Sequence, residues 1–188
     1  DALGTDVYYG GIHDAGAGHL HPLNFALGIA RAAAAAGARI HEATEVTALE
    51  DGATPVLVTT RGRVTADTVI LAGNGYLDGV EPDTESRVMP INNYILTTEP
   101  VGAGQDGGIL KGGEAASDSR FAVYYWRPTP DGRLLFGGGE TYSRRFPSDV
   151  RSFVRKHMLN IYPQFRNTRI DHAWGGTLAV TASRMPRI

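Results

Sequence analysis

The run Thr68-Val69-Ile70-Leu71-Ala72-Gly73-Asn74-Gly75 decides the fold class. An unbroken β-prone, apolar stretch closed by a glycine-rich turn is the pattern of a strand buried on both faces, whose end opens on a ligand crevice in α/β sheets. Upstream, Pro22 suits a first helical position, Leu23, Leu27 and Ala30 recur at helical spacing, and an alanine run ends at Gly37, which predicts a helix over 22–36. Between helix and buried strand, Arg39 to Glu42 and Glu45 to Leu49 read as extended. Asp51-Gly52 reads as a turn, Val56 to Thr60 as a strand, and Arg61-Gly62 as a tight turn into Val64, giving a small β-meander.

Downstream of Met89 the texture changes. Tyr94 to Thr98, Phe121 to Trp126, Leu134 to Phe136 and Thr168 to Trp174 are β-rich, and Asp131-Gly132 is a hairpin turn between the second and third. Pro128 and Pro130 restrict the end of the preceding strand to an edge or bulge. One helix interrupts these strands: Ser148 can cap it, Val150, Val154, His157 and Ile161 share a face, and Pro163 stops it. The expected class is therefore mixed α+β and α/β, with part of a Rossmann-like domain followed by an antiparallel-sheet domain with flanking helices.

The chain has 188 residues, 42% of them hydrophobic, enough for a sizeable core. Its net charge of −2 gives no broad basic field, so neither nucleic acid nor an anionic membrane surface is favoured as a partner, and a small molecule is. No cysteine is present, which removes disulfides, thiol nucleophiles and thiolate metal sites from this segment. No apolar run reaches the length of a membrane span and the first residues are not signal-like, so the default location is cytoplasmic. A start at Asp1 without Met and a stop at Ile188 without a polar tail read as an excised fragment.

Gly102-Ala103-Gly104-Gln105-Asp106-Gly107 has the letters of a dinucleotide fingerprint but not its strand-turn-helix context, and reads as a surface loop. His13, Asp14, His19 and His21 cluster in sequence. A His-x-His metal site would need a carboxylate shortly afterwards, and residues 22–30 contain none. These histidines therefore either hydrogen-bond at a helix entrance or stand beside a cofactor or substrate. No Gly-x-Ser-x-Gly elbow occurs. Arg127 ends the aromatic strand Tyr124-Tyr125-Trp126, where a guanidinium could clamp a carboxylate between aromatic walls, or simply stack on its neighbours at the surface. Tyr94 and Trp174 are likewise either core residues or ligand walls.

Several stretches together resemble the D-amino-acid-oxidase-like (DAO) FAD-dependent oxidoreductases, and within them the bacterial gamma-glutamylputrescine oxidoreductases. They are Gly18-His-Leu-His-Pro-Leu-Asn24, Gly37-Ala-Arg-Ile-His-Glu42 through Val46, Val69-Ile-Leu-Ala-Gly-Asn-Gly-Tyr76, Thr97-Thr-Glu-Pro100, Arg133-Leu-Leu-Phe-Gly-Gly-Gly139, and Trp174-Gly-Gly176 through Arg184-Met-Pro186. The resemblance implies FAD as cofactor, with residues 1–80 in a partial FAD-binding domain, 88–172 in a substrate domain, and 173–188 returning toward the cofactor. It also implies that the family's opening and closing glycine-rich segments lie outside Asp1 to Ile188.

By carry-over, the Val46 backbone meets the adenine, and Ala72, Gly73 and Asn74 pass close to the adenosine and phosphates. Arg127 falls at the family's substrate-carboxylate arginine, with Tyr94, Tyr125 and Trp174 as walls and His19 or His21 near the flavin or the entrance. Leu178 replaces an arginine common in the wider family, which disfavours simple amino acids. No general base is evident.

The implied reaction of the whole protein is oxidation of a gamma-glutamylputrescine-like amine to an imine and then an aldehyde, with O2 reduced to H2O2. Two other readings stand beside it: an isolated substrate-binding domain without flavin or catalysis, and a metal-dependent β-rich enzyme using His13, His19 and His21. An apolar face left by absent segments is expected to support a homodimer.

Overall fold

The computed structural model describes residues 2–101, 108–143 and 145–185. The chain divides into two compact units, one of residues 2–19 with 90–178 and the other of residues 20–89 with 179–185.

In the second of these, helix α1 (Pro22–Ala35) starts as its sequence dictates: Pro22 occupies the first turn and the Asn24 N–H donates to His21 Nδ1 at 3.3 Å. Its apolar residues Leu23, Phe25, Leu27 and Ile29 are 47–62% exposed, so the helix buries no face within its unit. Strands β1 (Val46–Glu50), β2 (Val56–Thr59) and β3 (Gly62–Thr65) form the expected antiparallel meander in that order. A short helix α2 (Pro82–Glu85), capped by the Glu81 carboxylate on the Thr84 N–H at 2.7 Å, was not foreseen.

Two expectations are corrected here. Arg39 to Glu42 form no strand, and neither does the run 68–72, which joins no sheet. Ile70 is 86% exposed rather than buried on both faces. A continuous apolar strand needs a neighbour to hydrogen-bond and a layer on each face, and the described residues of this unit supply neither.

The other unit is built on a five-stranded sheet in the order β5-β6-β7-β4-β8. Its strands are β4 (Val88–Thr98), β5 (Ala116–Ser117), β6 (Tyr125–Pro128), β7 (Leu134–Thr141) and β8 (Ile170–Thr181). β6 and β7 form the hairpin expected at Asp131-Gly132, closed by Thr129 N–H to Arg133 O at 2.8 Å. Pro128 sits beyond the two-residue β5, where its missing N–H leaves no ladder bond unmade. β7 lies antiparallel between β6 and β4, and its register against β4 slips between the pairs Ile95/Gly137 and Asn93/Glu140. Gly139, at φ +81°, takes up the extra residue of this bulge.

Helix α3 (Val150–Ile161) covers one face of this sheet. Its N-cap is Asp149, whose Oδ1 accepts from the Ser152 N–H at 3.0 Å, and not Ser148 as the sequence suggested. Val154, Met158 and Ile161 are fully buried, as are Tyr94, Leu96, Phe136 and Tyr162, each such side chain contributing about 1.5–3 kcal/mol. Pro163 ends α3 and opens a 3-10 turn (Pro163–Asn167) that delivers Phe165 to the same core.

Residues 2–19 belong with this sheet and not, as the expected 1–80 division had them, with the meander. They are held by side chains: Tyr8 stacks on Trp126 with centroids 5.7 Å apart, and its hydroxyl donates to Asp118 Oδ2 at 2.9 Å. Tyr162 donates to Leu3 O at 2.8 Å and Thr5 Oγ1 to Ile161 O at 2.7 Å.

Candidate functional site

Residues paired across an antiparallel ladder share a face, so the register shows which side chains lie opposite α3. Phe136 pairs with Trp126 and with Leu96, all buried under the helix. The alternate set, Tyr125 with Gly137 and Ile95, and Arg127 with Leu135 and Thr97, therefore occupies the other face. On β8, Ala173 packs into the core while His172 and Trp174 are exposed, Trp174 by 44%, so these two project to the face away from α3. Beyond the bulge, Asn93 and Glu140 pair on that side as well.

This face brings together Tyr125, Arg127 and Trp174, three of the residues singled out in the sequence. Tyr125 and Trp174 stand on strands three steps apart, about 14 Å at the ordinary strand spacing. The Arg127 side chain is half-buried, and among the described residues its guanidinium has no ion pair and no hydrogen bond. A half-buried cation without a partner is set up to receive an anion. The Tyr125 hydroxyl donates to Asn93 Oδ1 at 2.5 Å, and burial pushes its phenol up to about 12, so it remains a protonated donor at ordinary pH.

Tyr94 is corrected from wall to core. Its ring is 0% exposed on the α3 face, edge-on to Phe146 and Phe153 at 5.4 and 5.2 Å, and its hydroxyl meets Thr141 Oγ1 at 2.6 Å. His19 and His21 fall in different units. His19 Nε2 donates to Gly113 O at 2.7 Å, tying residues 2–19 to a turn of the sheet unit, whereas His21 caps α1. The capping geometry is the helix-entrance alternative read from the sequence. The run 102–107 lies outside the described residues, and among the described residues no group of three or more histidines and carboxylates is arranged to hold a metal.

The sequence reasoning missed Asn93, Gly137 and Glu140. The signals were present: two polar residues, Asn92-Asn93, inside an apolar strand must fall on opposite faces, and three consecutive glycines in a strand mark a bulge or a close approach.

The residues expected near a flavin fit that group in part. Ala72 and Asn74 are exposed, Asn74 is left-handed at φ +52°, and its Oδ1 accepts from the Ala179 N–H at 2.9 Å. A Cβ at Gly73 would come within 2.9 Å of a Leu77 methyl carbon. The Gly73 carbonyl accepts from the Tyr76 N–H at 3.0 Å, which fixes this turn, and Val46 opens β1 paired with Thr59. Among the described residues no glycine-rich turn opens a helix, so a phosphate cradle of that kind is not among them.

Comparison with known proteins bears on the whole chain. The family model described as FAD dependent oxidoreductase (DAO) matches residues 2–188. A probable oxidoreductase, OrdL, of Rhizobium meliloti (strain 1021) is 44% identical over 98% of this chain and 43% of its own length. Gamma-glutamylputrescine oxidoreductase of Escherichia coli (strain K12) is 38% identical over 98% of this chain and 44% of its own. The crystal structure of glycine oxidase from Geobacillus kaustophilus superposes with a TM-score of 0.67 at 22% identity, over 87% of this chain and 43% of that one, a likeness of fold. The chain thus spans less than half the length of the relatives it matches. Through that match, which runs over all but its first residue, the chain belongs to the DAO family of FAD-dependent oxidoreductases.

Proposed function

We propose that the protein containing this chain oxidises a primary amine that carries a remote carboxylate, of the gamma-glutamylputrescine kind, to an imine that water hydrolyses to an aldehyde and ammonia. One O2 is reduced to H2O2 in each turnover. The observation that carries this reading is Arg127, a half-buried guanidinium without a partner among the described residues, beside Tyr125 on the open face of the sheet. The 38% identity to gamma-glutamylputrescine oxidoreductase supports the substrate class.

Within the whole protein FAD, when bound, supplies the acceptor for the hydride leaving the carbon that bears the amine, and returns the electrons to O2. This chain's own residues bind and orient. Arg127 takes the substrate carboxylate, fixing one end of the molecule by a charge-assisted pair. Tyr125 and Trp174 wall the apolar stem and exclude water, which favours the neutral amine that the oxidation requires. The backbone at Val46, Ala72, Gly73 and Asn74 receives the adenosine portion of FAD. His19, tied to Gly113, lines the entrance.

Peroxide release by the full-length protein tests the assignment. Arg127→Ala is expected to raise KM for the carboxylate-bearing amine about 10- to 100-fold, as loss of a charged hydrogen bond of about 1.5–3 kcal/mol implies. The methyl ester of the same amine should lose less than about threefold. Equal losses for acid and ester would sink the proposed role.

Incubating the 188-residue chain with FAD and removing unbound ligand tests the separate reading of it as a substrate-binding unit. On that reading the chain shows no visible flavin bands.

A further inference from the structure

Tyr125 does not stand away from its sheet. Its register partner is Gly137, and a Cβ there would fall 2.1 Å from Cζ and 2.2 Å from Cε2 of the Tyr125 ring. The ring therefore occupies the space above β7 that any other residue's side chain would fill. Laid flat in this way, the phenol crosses β7 and reaches β4, where its hydroxyl donates to Asn93 Oδ1 at 2.5 Å. In this orientation Oδ1 is occupied and Nδ2 carries the remaining donors, and among the described residues Nδ2 has no acceptor. Asn93 is half-buried on the face that carries Arg127 and Trp174. Glu140, its partner across the ladder, places a carboxylate beside it. An anionic acceptor is disfavoured next to that charge, and a neutral carbonyl is not.

We propose that Asn93 is a specificity-determining residue of this face, offering Nδ2 to the carbonyl oxygen of a neutral amide in the substrate, with Tyr125 and Gly137 as the residues that position it. The inference rests on the reading of this face as the substrate site, and divides the labour there: the carboxylate of the substrate goes to Arg127 and its amide carbonyl to Asn93. Gly137 is required because any side chain at that position displaces the ring that holds the carboxamide.

Calorimetric binding of two probes by the full-length protein tests it: N-butyl-γ-glutamylamide, which lacks the terminal amine of the proposed substrate, and a reduced probe in which the amide CO–NH is replaced by CH2–CH2, so that no new basic nitrogen is introduced. Asn93→Ala is expected to weaken the amide probe about tenfold and the reduced probe less than about twofold, as loss of one hydrogen bond to the carbonyl implies. Tyr125→Phe keeps the ring and removes only the tether, and should give a smaller loss, about threefold, again confined to the amide probe. Gly137→Ala should lose as much of the selectivity as Asn93→Ala.

If both probes bind and Asn93→Ala weakens them equally or not at all, the role of Asn93 is overturned while the reading of the face stands. If neither probe binds the parent protein, both fall. Loss of amide selectivity in Asn93→Ala but none in Tyr125→Phe or Gly137→Ala overturns the positioning role.

Discussion

Gly139 and Gly113 adopt the same backbone angle, φ +81°, in opposite surroundings, and so form a matched pair. A Cβ at Gly139 would lie 2.6 Å from Phe153 Cε1 and 2.9 Å from His157 Nε2, whereas one at Gly113 meets nothing within 4 Å. Substituting alanine at either position asks an L-residue to adopt the left-handed region, at about 1–2 kcal/mol. Only at Gly139 does overpacking against α3 add a further 1–3 kcal/mol or so.

Both tryptophans, Trp126 and Trp174, lie in the sheet unit, so their fluorescence in urea follows that unit. With a slope of about 2 kcal/mol per molar, Gly113→Ala should lower the midpoint by about 0.5–1 M, and Gly139→Ala by a further 0.5–1.5 M or so. The difference between the two variants is the quantity that matters, since backbone and unfolded-state effects are common to both. Equal shifts would refute the packing of the β7 bulge against Phe153 and His157.

Two further outcomes are expected. Burial, and secondarily the neighbouring Lys156, hold His157 below its ordinary range, so the unfolded chain takes up that proton first as the pH falls. Its contribution to stability is full above about pH 6.5 and is lost as the pH falls through that value toward the folded pKa. Urea midpoints between about pH 8 and 5.5 should therefore drop less steeply in His157→Gln than in the parent, and identical slopes would remove His157 from the pH dependence. Asp149→Ala deletes the cap of α3 and should lower the midpoint by about 0.5 M, with Asn at the same position restoring most of it; no change in Asp149→Ala would mean that solvent satisfies the Ser152 N–H equally well.

Much of the fold was legible because it is written in local chemistry. Pro22, the alanine run, the Asp131-Gly132 hairpin and the stop at Pro163 act within a few residues of themselves, and each is where the sequence placed it. The run 68–72 misled because a buried strand is defined by its neighbours, and periodicity carries no record of whether they are present. Tyr94 and Trp174 illustrate the same limit at the site. Both are aromatic residues in strands, and only the packing, with Tyr94 buried under α3 and Trp174 exposed on the other face, tells a core ring from an exposed one. His21 was ambiguous between cap and ligand until the Asn24 N–H was found on its ring. Asn93 was overlooked because its role depends on Tyr125, 32 residues away in sequence, crossing a strand that lacks a side chain.

The strand order also bears on how the chain leaves the ribosome. β4 is complete at Thr98, yet its partner on one side, β8, runs from Ile170 to Thr181. At ordinary synthesis rates the roughly 80 residues from Glu99 to the end of β8 take about 4–16 s to emerge, and until then one edge of β4 lacks its full partner strand. The nascent edge, carrying Ile91, Ile95 and Leu96, is a template for aberrant pairing, and the segment exposes it whether or not the finished protein is stable. Expression yield should then respond to growth temperature and to chaperone supply more than to mutations that raise the equilibrium stability of the finished sheet.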